Sequence, residues 1–145
     1  MKPEAVPLST HVNQTVIMKV KIDTKEKFIV VTLIDAIFTA NIAADLTHLV
    51  TKFLQQEIKN VVLSLEFVEA IEDRGAEDLA QIQQVFYENS ASFVICNVKA
   101  VIEEKLEELG LLEVMNITPS ESEAWDIVQM EEIERELLDD EDESK

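Results

Sequence analysis

Several chemically important residue types are scarce in this chain of 145 residues. It has one cysteine, Cys96, which excludes an internal disulfide, and two histidines far apart, His11 and His48, which exclude a zinc site of the usual Cys/His kind. It has two glycines, Gly75 and Gly110, whereas a glycine-rich phosphate loop needs several so that backbone amides can approach the anion. We therefore expect no metal, no bound nucleotide and no other cofactor.

Long apolar runs are also missing. No run approaches the roughly 18 residues that a membrane span requires, and the first ten residues, MKPEAVPLST, contain no apolar core of a secretory signal. Hydrophobic residues make up 47% of the chain and charged residues 29%, a balance typical of one globular domain. These features predict a soluble, cytoplasmic protein.

Positive charge is scarce too. Twelve Lys and Arg residues stand against 30 Asp and Glu residues, for a formal net charge of -18. Such a surface repels phosphate backbones and anionic lipids, so nucleic acid and membrane are poor partners. Residues 131–145 alone hold nine acids and two bases. We interpret them as a frayed, solubilising acidic tail in preference to a docking arm.

Catalytic chemistry has little support. Neither histidine stands near an evident nucleophile, and His48 is interpreted as an ordinary surface residue of a helix. Cys96 ends an apolar run and is interpreted as a packed core residue. Five acids surround the start of one predicted helix: Glu69, Glu72, Asp73, Glu77 and Asp78. They lack the spacing of a calcium loop and are read as a solvated acidic loop. An enzyme is the weakest of the functional hypotheses.

Hydrophobic periodicity predicts alternating strands and helices. The predicted strands are 16–22, 28–34, 60–65, 93–96 and 113–117. The predicted helices are 41–56, 76–88, 99–109 and a last one carrying Trp125, opened by the capping box Thr118-Pro119-Ser120-Glu121 with proline at its first position. Gly110 is expected to cap the third helix in the left-handed conformation. The pattern indicates an α/β fold, a mixed sheet of about five strands with an N-terminal hairpin and later strands parallel, and about four helices.

Residues 60–127 resemble a STAS domain, the fold of bacterial anti-sigma factor antagonists. The segment VVLSLEFVEAIEDRGAEDLAQI is similar to the family's strand, acidic residue, loop, Asp-Ser-Ser-Gly and helix. FVICNV resembles the fourth strand of the family, LGLLEV the approach to its final strand, and SESEAWDIV its closing helix. With the opening hairpin and helix, the resemblance covers residues 16–130. It leaves residues 1–15 as an N-terminal extension and 131–145 as the acidic tail.

The resemblance also implies a binding site. Gly75 falls on the family's glycine, which places Glu72, Asp73 and Arg74 at the Asp-Ser-Ser positions. In the family's antagonists the partner kinase phosphorylates the second serine, and the added charge breaks binding. Arg74 cannot accept a phosphate, so the usual switch is expected to be missing. Whether Ser90, Ser92 or Thr39 replaces that serine stays open.

The resemblance therefore predicts a non-enzymatic domain that docks on an anti-sigma factor or related kinase. The docking face comprises the loop 66–75, the helix 76–88 and the loop 35–41. Its candidate residues are Thr39, Glu72, Asp73, Arg74, Gly75 and Asp78. A constitutive scaffold subunit of a larger assembly is the alternative function, and a homodimer is left open. A purely structural interpretation competes: a tight turn at Gly75, a helix cap at Asp73 and a surface ion pair at Arg74.

Overall fold

The computed structural model describes residues 6–7 and 18–143, with side chains from 18 to 138. Its strands are β1 (Val6–Pro7), β2 (Lys19–Thr24), β3 (Phe28–Leu33), β4 (Ile37–Phe38), β5 (Asn60–Ser64), β6 (Ala70–Ile71), β7 (Phe93–Cys96) and β8 (Asn116–Thr118). Its helices are α1 (Ala40–Phe53), α2 (Asp73–Glu88), α3 (Ala100–Glu108) and α4 (Glu121–Glu143), with a short 3-10 helix at Leu112–Val114.

The main sheet has the strand order β1-β2-β3-β5-β7-β8. The pairs β1/β2 and β2/β3 are antiparallel, and β3, β5, β7 and β8 run parallel. The hairpin forms because Lys25 N–H donates to the Phe28 carbonyl at 2.8 Å across a short turn. Parallel neighbours need long crossovers, which α1, α2 and α3 supply. The predicted α/β fold, with a mixed sheet and four helices, is confirmed.

The central strands are buried on both faces. In β3, Ile29, Val31 and Leu33 belong to the core that contains α1, α2 and α3. The alternate residues Phe28 and Val30 belong to a second cluster with residues of α4. Because both faces are covered, these strands read in the sequence as continuous apolar runs.

Some strand boundaries differ from the prediction. The first strand of the hairpin lies at Lys19–Thr24, not at 16–22, and residues 16–17 lie outside the described residues. The predicted strand 113–117 is wrong in its first half. Leu112–Val114 forms a 3-10 helix, and β8 begins only at Asn116. Residues in a helical turn can show the same short apolar pattern as a strand, so periodicity cannot separate them.

Three short strands were not predicted. Val6–Pro7, within the predicted N-terminal extension, pairs with Lys19 and Val20 at the edge of the sheet. Strands β4 and β6 form a separate parallel pair of two residues each. Segments this short carry no periodicity, and their pairing depends on residues distant in the sequence.

The start of α4 corrects the predicted capping box. The helix begins at Glu121, and the Oγ of Ser120 accepts from the N–H of Glu123 at 3.3 Å. Ser120 is therefore the cap, and Pro119 precedes it instead of occupying the first helical position. Thr118 ends β8 and donates through Oγ1 to the Ser120 carbonyl at 3.0 Å.

The predicted frayed tail is also wrong for residues 131–143, because α4 continues without a break to Glu143. Tertiary contacts hold its middle. Asn60, 5% exposed at the start of β5, donates to Glu132 Oε2 at 2.8 Å. Arg135 donates to Ser92 Oγ at 3.2 Å and to Asn60 Oδ1 at 3.4 Å. Two residues assigned to the tail thus bond directly to the sheet.

Two helices end in the same left-handed turn. After α3, Gly110 has φ +71°, as predicted, and Leu111 N–H donates back to the Leu106 carbonyl at 2.9 Å. After α2, Ser90 has φ 57°, and Ala91 N–H donates back to the Phe86 carbonyl at 2.9 Å. Both turns are Schellman caps. Gly110 adopts the left-handed conformation without steric cost, whereas Ser90 has a β-carbon that makes this conformation unfavourable.

Exchanging the residue types at these caps should change stability in opposite directions. We expect Ser90→Gly to raise the free energy of unfolding by up to about 1 kcal/mol, because it relieves a strained left-handed residue. We expect Gly110→Ala to lower it by about 1 kcal/mol. A β-carbon at Gly110 meets nothing within 4 Å, so the loss comes from the backbone alone. Urea unfolding measures both, and a loss of stability in Ser90→Gly would contradict the argument.

Candidate functional site

The loops of the candidate site lie at one edge of the sheet. The parallel strands β3, β5 and β7 end at Leu33, Ser64 and Cys96, and the loops that follow lead into α1, α2 and α3. In α/β folds the carboxyl edge of the parallel strands is where ligands and partners usually bind, because loops and helix N-termini converge there. The docking face predicted from the sequence belongs to this edge.

The small sheet of β4 and β6 joins two of these loops. Ile37 lies beside Ala70, and Phe38 beside Ile71. Glu69 N–H donates to the Ala36 carbonyl at 2.7 Å, and Glu72 N–H donates to the Phe38 carbonyl at 2.9 Å. The loops 35–39 and 66–72, far apart in sequence, are therefore fixed side by side by backbone hydrogen bonds.

Thr39 and Glu72 both serve the start of α1. The Oγ1 of Thr39 accepts from Ile42 N–H at 3.1 Å. Glu72 precedes α2, but its carboxylate crosses to α1 and accepts from Ala40 N–H at 2.9 Å. A carboxylate at a helix N-terminus is stabilised by the helix dipole and by the otherwise unbonded amides. Glu72 thus ties one loop of the site to the other helix.

Gly75 lies buried in the first turn of α2 against Phe38. A β-carbon at this position would lie 2.8 Å from Phe38 Cδ1 and 3.0 Å from the Phe38 carbonyl oxygen. Only a residue without a side chain permits this approach. The prediction that Gly75 precedes the helix is corrected, since α2 starts at Asp73, and the reason for the glycine is close packing, not a special turn.

Asp73, Arg74 and Asp78 form surface ion pairs. Asp73 Oδ1 lies 2.6 Å from Lys105 Nζ on α3, and this hydrogen bond raises the pKa of Lys105. Arg74 Nε lies 3.5 Å from Asp78 Oδ1 one turn along α2, and the Arg74 side chain is 74% exposed. Exposed pairs of this kind contribute little to stability. Breaking the pair of Arg74 with Asp78 would therefore cost little free energy.

Sequence reasoning did not single out two residues of this edge, Ile37 and Lys105, or the groove beside Ile37. Ile37 is an exposed apolar side chain, 54% accessible, next to the buried Phe38. Lys105 comes from α3, which no local pattern connects to the site. A groove of about 460 Å³ lies between the two loops, lined by Asp35, Ala36, Ile37, Thr39, Ala40, Asn41, Ile42 and Glu72. No local sequence pattern signalled the groove or Lys105.

The hydroxyls considered as replacement phosphate acceptors lie in different environments. Ser92 is 1% exposed and bonds to Arg135. Ser90 caps the far end of α2, away from the helix N-terminus. Thr39 is half-buried at the groove, and its oxygen already caps α1. Of the three, only Thr39 lies at the candidate site.

His48 and Cys96 do not line the groove of the candidate site. His48 is exposed on α1. Cys96, the last residue of β7, is buried in the cluster that contains Ala124 and Val128 of α4. Among residues 18–138, no group of three or more His, Cys, Asp or Glu side chains is arranged to hold a metal ion. In the same part of the chain, no helix combines the length and hydrophobicity needed to cross a membrane.

A family model for the STAS domain matches residues 19–124. The chain belongs to the STAS domain family. The match lies inside the segment 16–130 that carried the resemblance, and it includes both loops of the site and Gly75. No curated protein sequence matches the chain.

Solved structures share the STAS fold at low sequence identity. An anti-sigma factor antagonist from Mycobacterium paratuberculosis is 15% identical over 77% of this chain and 94% of its own, with a TM-score of 0.66. The Bacillus cell fate determinant SpoIIAA, an anti-sigma factor antagonist, is 13% identical over 76% and 96%, with a TM-score of 0.61. The mouse anion transporter Slc26a9 is 12% identical over 89% of this chain but only 22% of its own, with a TM-score of 0.63.

Substituting Gly75 tests the close approach to Phe38. We expect Gly75→Ala to lower the free energy of unfolding by about 1–3 kcal/mol, because the new methyl group overpacks against a buried ring and backbone. The exposed Glu77→Ala, in the same turn of α2, is the control and should change stability by less than about 0.5 kcal/mol.

Urea unfolding gives both values. Adding Phe38→Leu to Gly75→Ala should cost less than the sum of the single changes, because the smaller side chain makes room for the methyl group. Strict additivity of the two would contradict the contact.

The thiol of Cys96 should make the free energy of unfolding depend on pH. Burial raises the pKa of its thiol to about 11 from an ordinary value of 9.0, and the charge of Glu121 adds to the effect. The folded state therefore holds this proton more tightly than the unfolded state. The stabilisation is complete below pH 9 and is lost as the pH rises through 11.

Between pH 9 and pH 11, the unfolding free energy of wild type should accordingly fall relative to that of Cys96→Val. A thiol reagent at pH 8 should modify the native protein far more slowly than the unfolded chain. Equal rates in the two states would show that the thiol is accessible.

Proposed function

We propose that this STAS domain is a non-enzymatic, cytoplasmic regulatory module that docks on an anti-sigma factor or a related kinase. Docking uses the loop 66–75 and the helix 76–88, with the loop 35–41 alongside. The observation that carries the proposal is the joining of these loops by β4 and β6, which presents the face as one preformed surface. Preformed surfaces lose little conformational entropy on binding.

The composition of the face supports protein binding. The side chain of Arg74 is 74% exposed and Ile37 is 54% exposed, and exposed arginine and apolar side chains are suited to protein interfaces. Two related antagonists of known structure, from Mycobacterium paratuberculosis and Bacillus, share the fold that displays this face.

In this proposal, the protein lacks the phosphorylation switch that is usual in the family. The family resemblance assigns Arg74 to the position of the phosphorylated serine, where it would carry a positive charge in place of the negative charge that phosphorylation adds. Binding is then constitutive or controlled elsewhere. A permanent contact of this kind also suits a scaffold subunit, which is the second candidate function.

Affinity capture from the native host tests the proposal. The tagged wild type should retain a histidine-kinase-like anti-sigma factor, identified by mass spectrometry. Arg74→Glu should weaken retention at least about tenfold, because it replaces a positive charge on the face by a negative one. Arg74→Ser should restore a phosphate acceptor, so retention should fall when kinase and ATP are added.

Lys59→Glu is the matched control. It makes the same charge change at an exposed residue just before β5, at the opposite edge of the sheet. Retention should match wild type. If Lys59→Glu and Arg74→Glu lose the partner equally, overall charge and not the face determines binding. If no kinase is found but a stable large complex is, the scaffold function is favoured.

A further inference from the structure

The outer side of α4 carries an apolar stripe that the fold does not use. Met130, Ile133 and Leu137 are 62%, 57% and 59% exposed. Their spacing of three and four residues places them on one face of the helix. The sequence had predicted a frayed tail over most of this segment, so the stripe becomes visible only because α4 is continuous.

The opposite side of α4 explains why the stripe faces outward. Ala124 and Val128 are fully buried against the sheet. One and two turns later, Glu131 accepts from Asn116 Nδ2 at 3.1 Å, and Arg135 donates to Ser92. These contacts fix the rotation of the helix about its axis. The side chains half a turn away, at 130, 133 and 137, are therefore held pointing from the sheet.

The charge around the stripe determines what can cover it. Residues 126–143 contain ten acids and one base, Arg135, and that base is already bonded to the sheet. Asp126, Glu134 and Glu136 are exposed. A second copy of the chain would bring two such acidic helices together, and like charges at a helix pair are repulsive. A helix with an apolar stripe and lysine or arginine at its flanks matches both features.

We propose that the outer face of α4 is a docking strip for a basic amphipathic helix of another protein. The strip is formed by Met130, Ile133 and Leu137 and is flanked by acids. It lies on the other side of the sheet from α2, so it does not overlap the candidate site. The proposal is independent of the function proposed for that site, and a protein with both surfaces can link two partners.

A designed peptide tests the strip on the full-length protein. The probe is a helical leucine–lysine peptide with leucines at spacings of three and four, and its control is a scrambled peptide of the same composition and charge. The amphipathic peptide should bind wild type at least about tenfold more tightly than the scrambled peptide. Equal affinities would reduce the interaction to charge attraction and overturn the proposal.

Variants locate the binding site. The triple change Met130→Gln, Ile133→Gln and Leu137→Gln keeps the charge and should weaken binding at least about tenfold. Val101→Gln with Val114→Gln removes two other exposed apolar side chains, 56% and 57% accessible, and should leave affinity unchanged. Circular dichroism confirms that each variant folds.

Two further measurements separate the other outcomes. Glu134→Lys with Glu136→Lys should weaken binding, because it removes the charge complementarity. Sedimentation of wild type without peptide should show a monomer over the same concentrations. Self-association that the triple variant abolishes would make a second copy the occupant and overturn the proposal, as would equal peptide binding by wild type and the triple variant.

Discussion

The structure depends on the burial of three neighbouring parallel strands, β3, β5 and β7, on both faces. All the residues of these strands are buried. A strand that is apolar on both sides must be covered on both sides, which requires helices above and below the sheet. Helices α1, α2 and α3 cover one face, and α4 covers the other. The two-layer cover then determines which surfaces remain free.

The candidate site follows from the same arrangement. Parallel strands place the loops before α1 and α2 at one edge, and the pairing of β4 with β6 joins them. Glu72 reaches from one loop to the amide of Ala40, and Gly75 allows α2 to approach Phe38. The ion pairs of Arg74 and Asp73, by contrast, lie on the surface and are weak. The framework of the site is held by backbone and helix-cap hydrogen bonds, while the side chain of Arg74 is exposed.

The two halves of α4 are attached to the sheet in different ways. Its first half completes the core through Ala124 and Val128, and Trp125 stacks on Phe28 with ring centroids 5.0 Å apart. Its second half is held by polar contacts to Asn60, Ser92 and Asn116, which replace apolar burial where the helix passes the edge of the sheet. The same contacts that anchor the helix orient its apolar stripe outward. An acidic segment that resembles a solubilising tail is thereby part of the fold.

The fold class and most element positions could be predicted from the amino-acid pattern. The apolar runs 61–65 and 93–96, which alternate with segments of helical periodicity, indicated buried strands, and Gly110 indicated a left-handed cap that the structure has. The position of Gly75 after Arg74 led to the prediction of the candidate site and of a missing phosphate acceptor. These features are local, so they can be read from neighbouring residues.

Other features of the fold depend on contacts between distant parts of the chain. A strand was predicted at 113–117, but the structure has a 3-10 helix before β8. A frayed tail was predicted for the last residues, but α4 continues through them to Glu143. Lys105 forms a hydrogen bond with Asp73, 32 residues away in sequence, and Arg135 forms one with Ser92, 43 residues away. Interactions over such separations are chosen by the packing of whole elements, and no periodicity in a single segment encodes them.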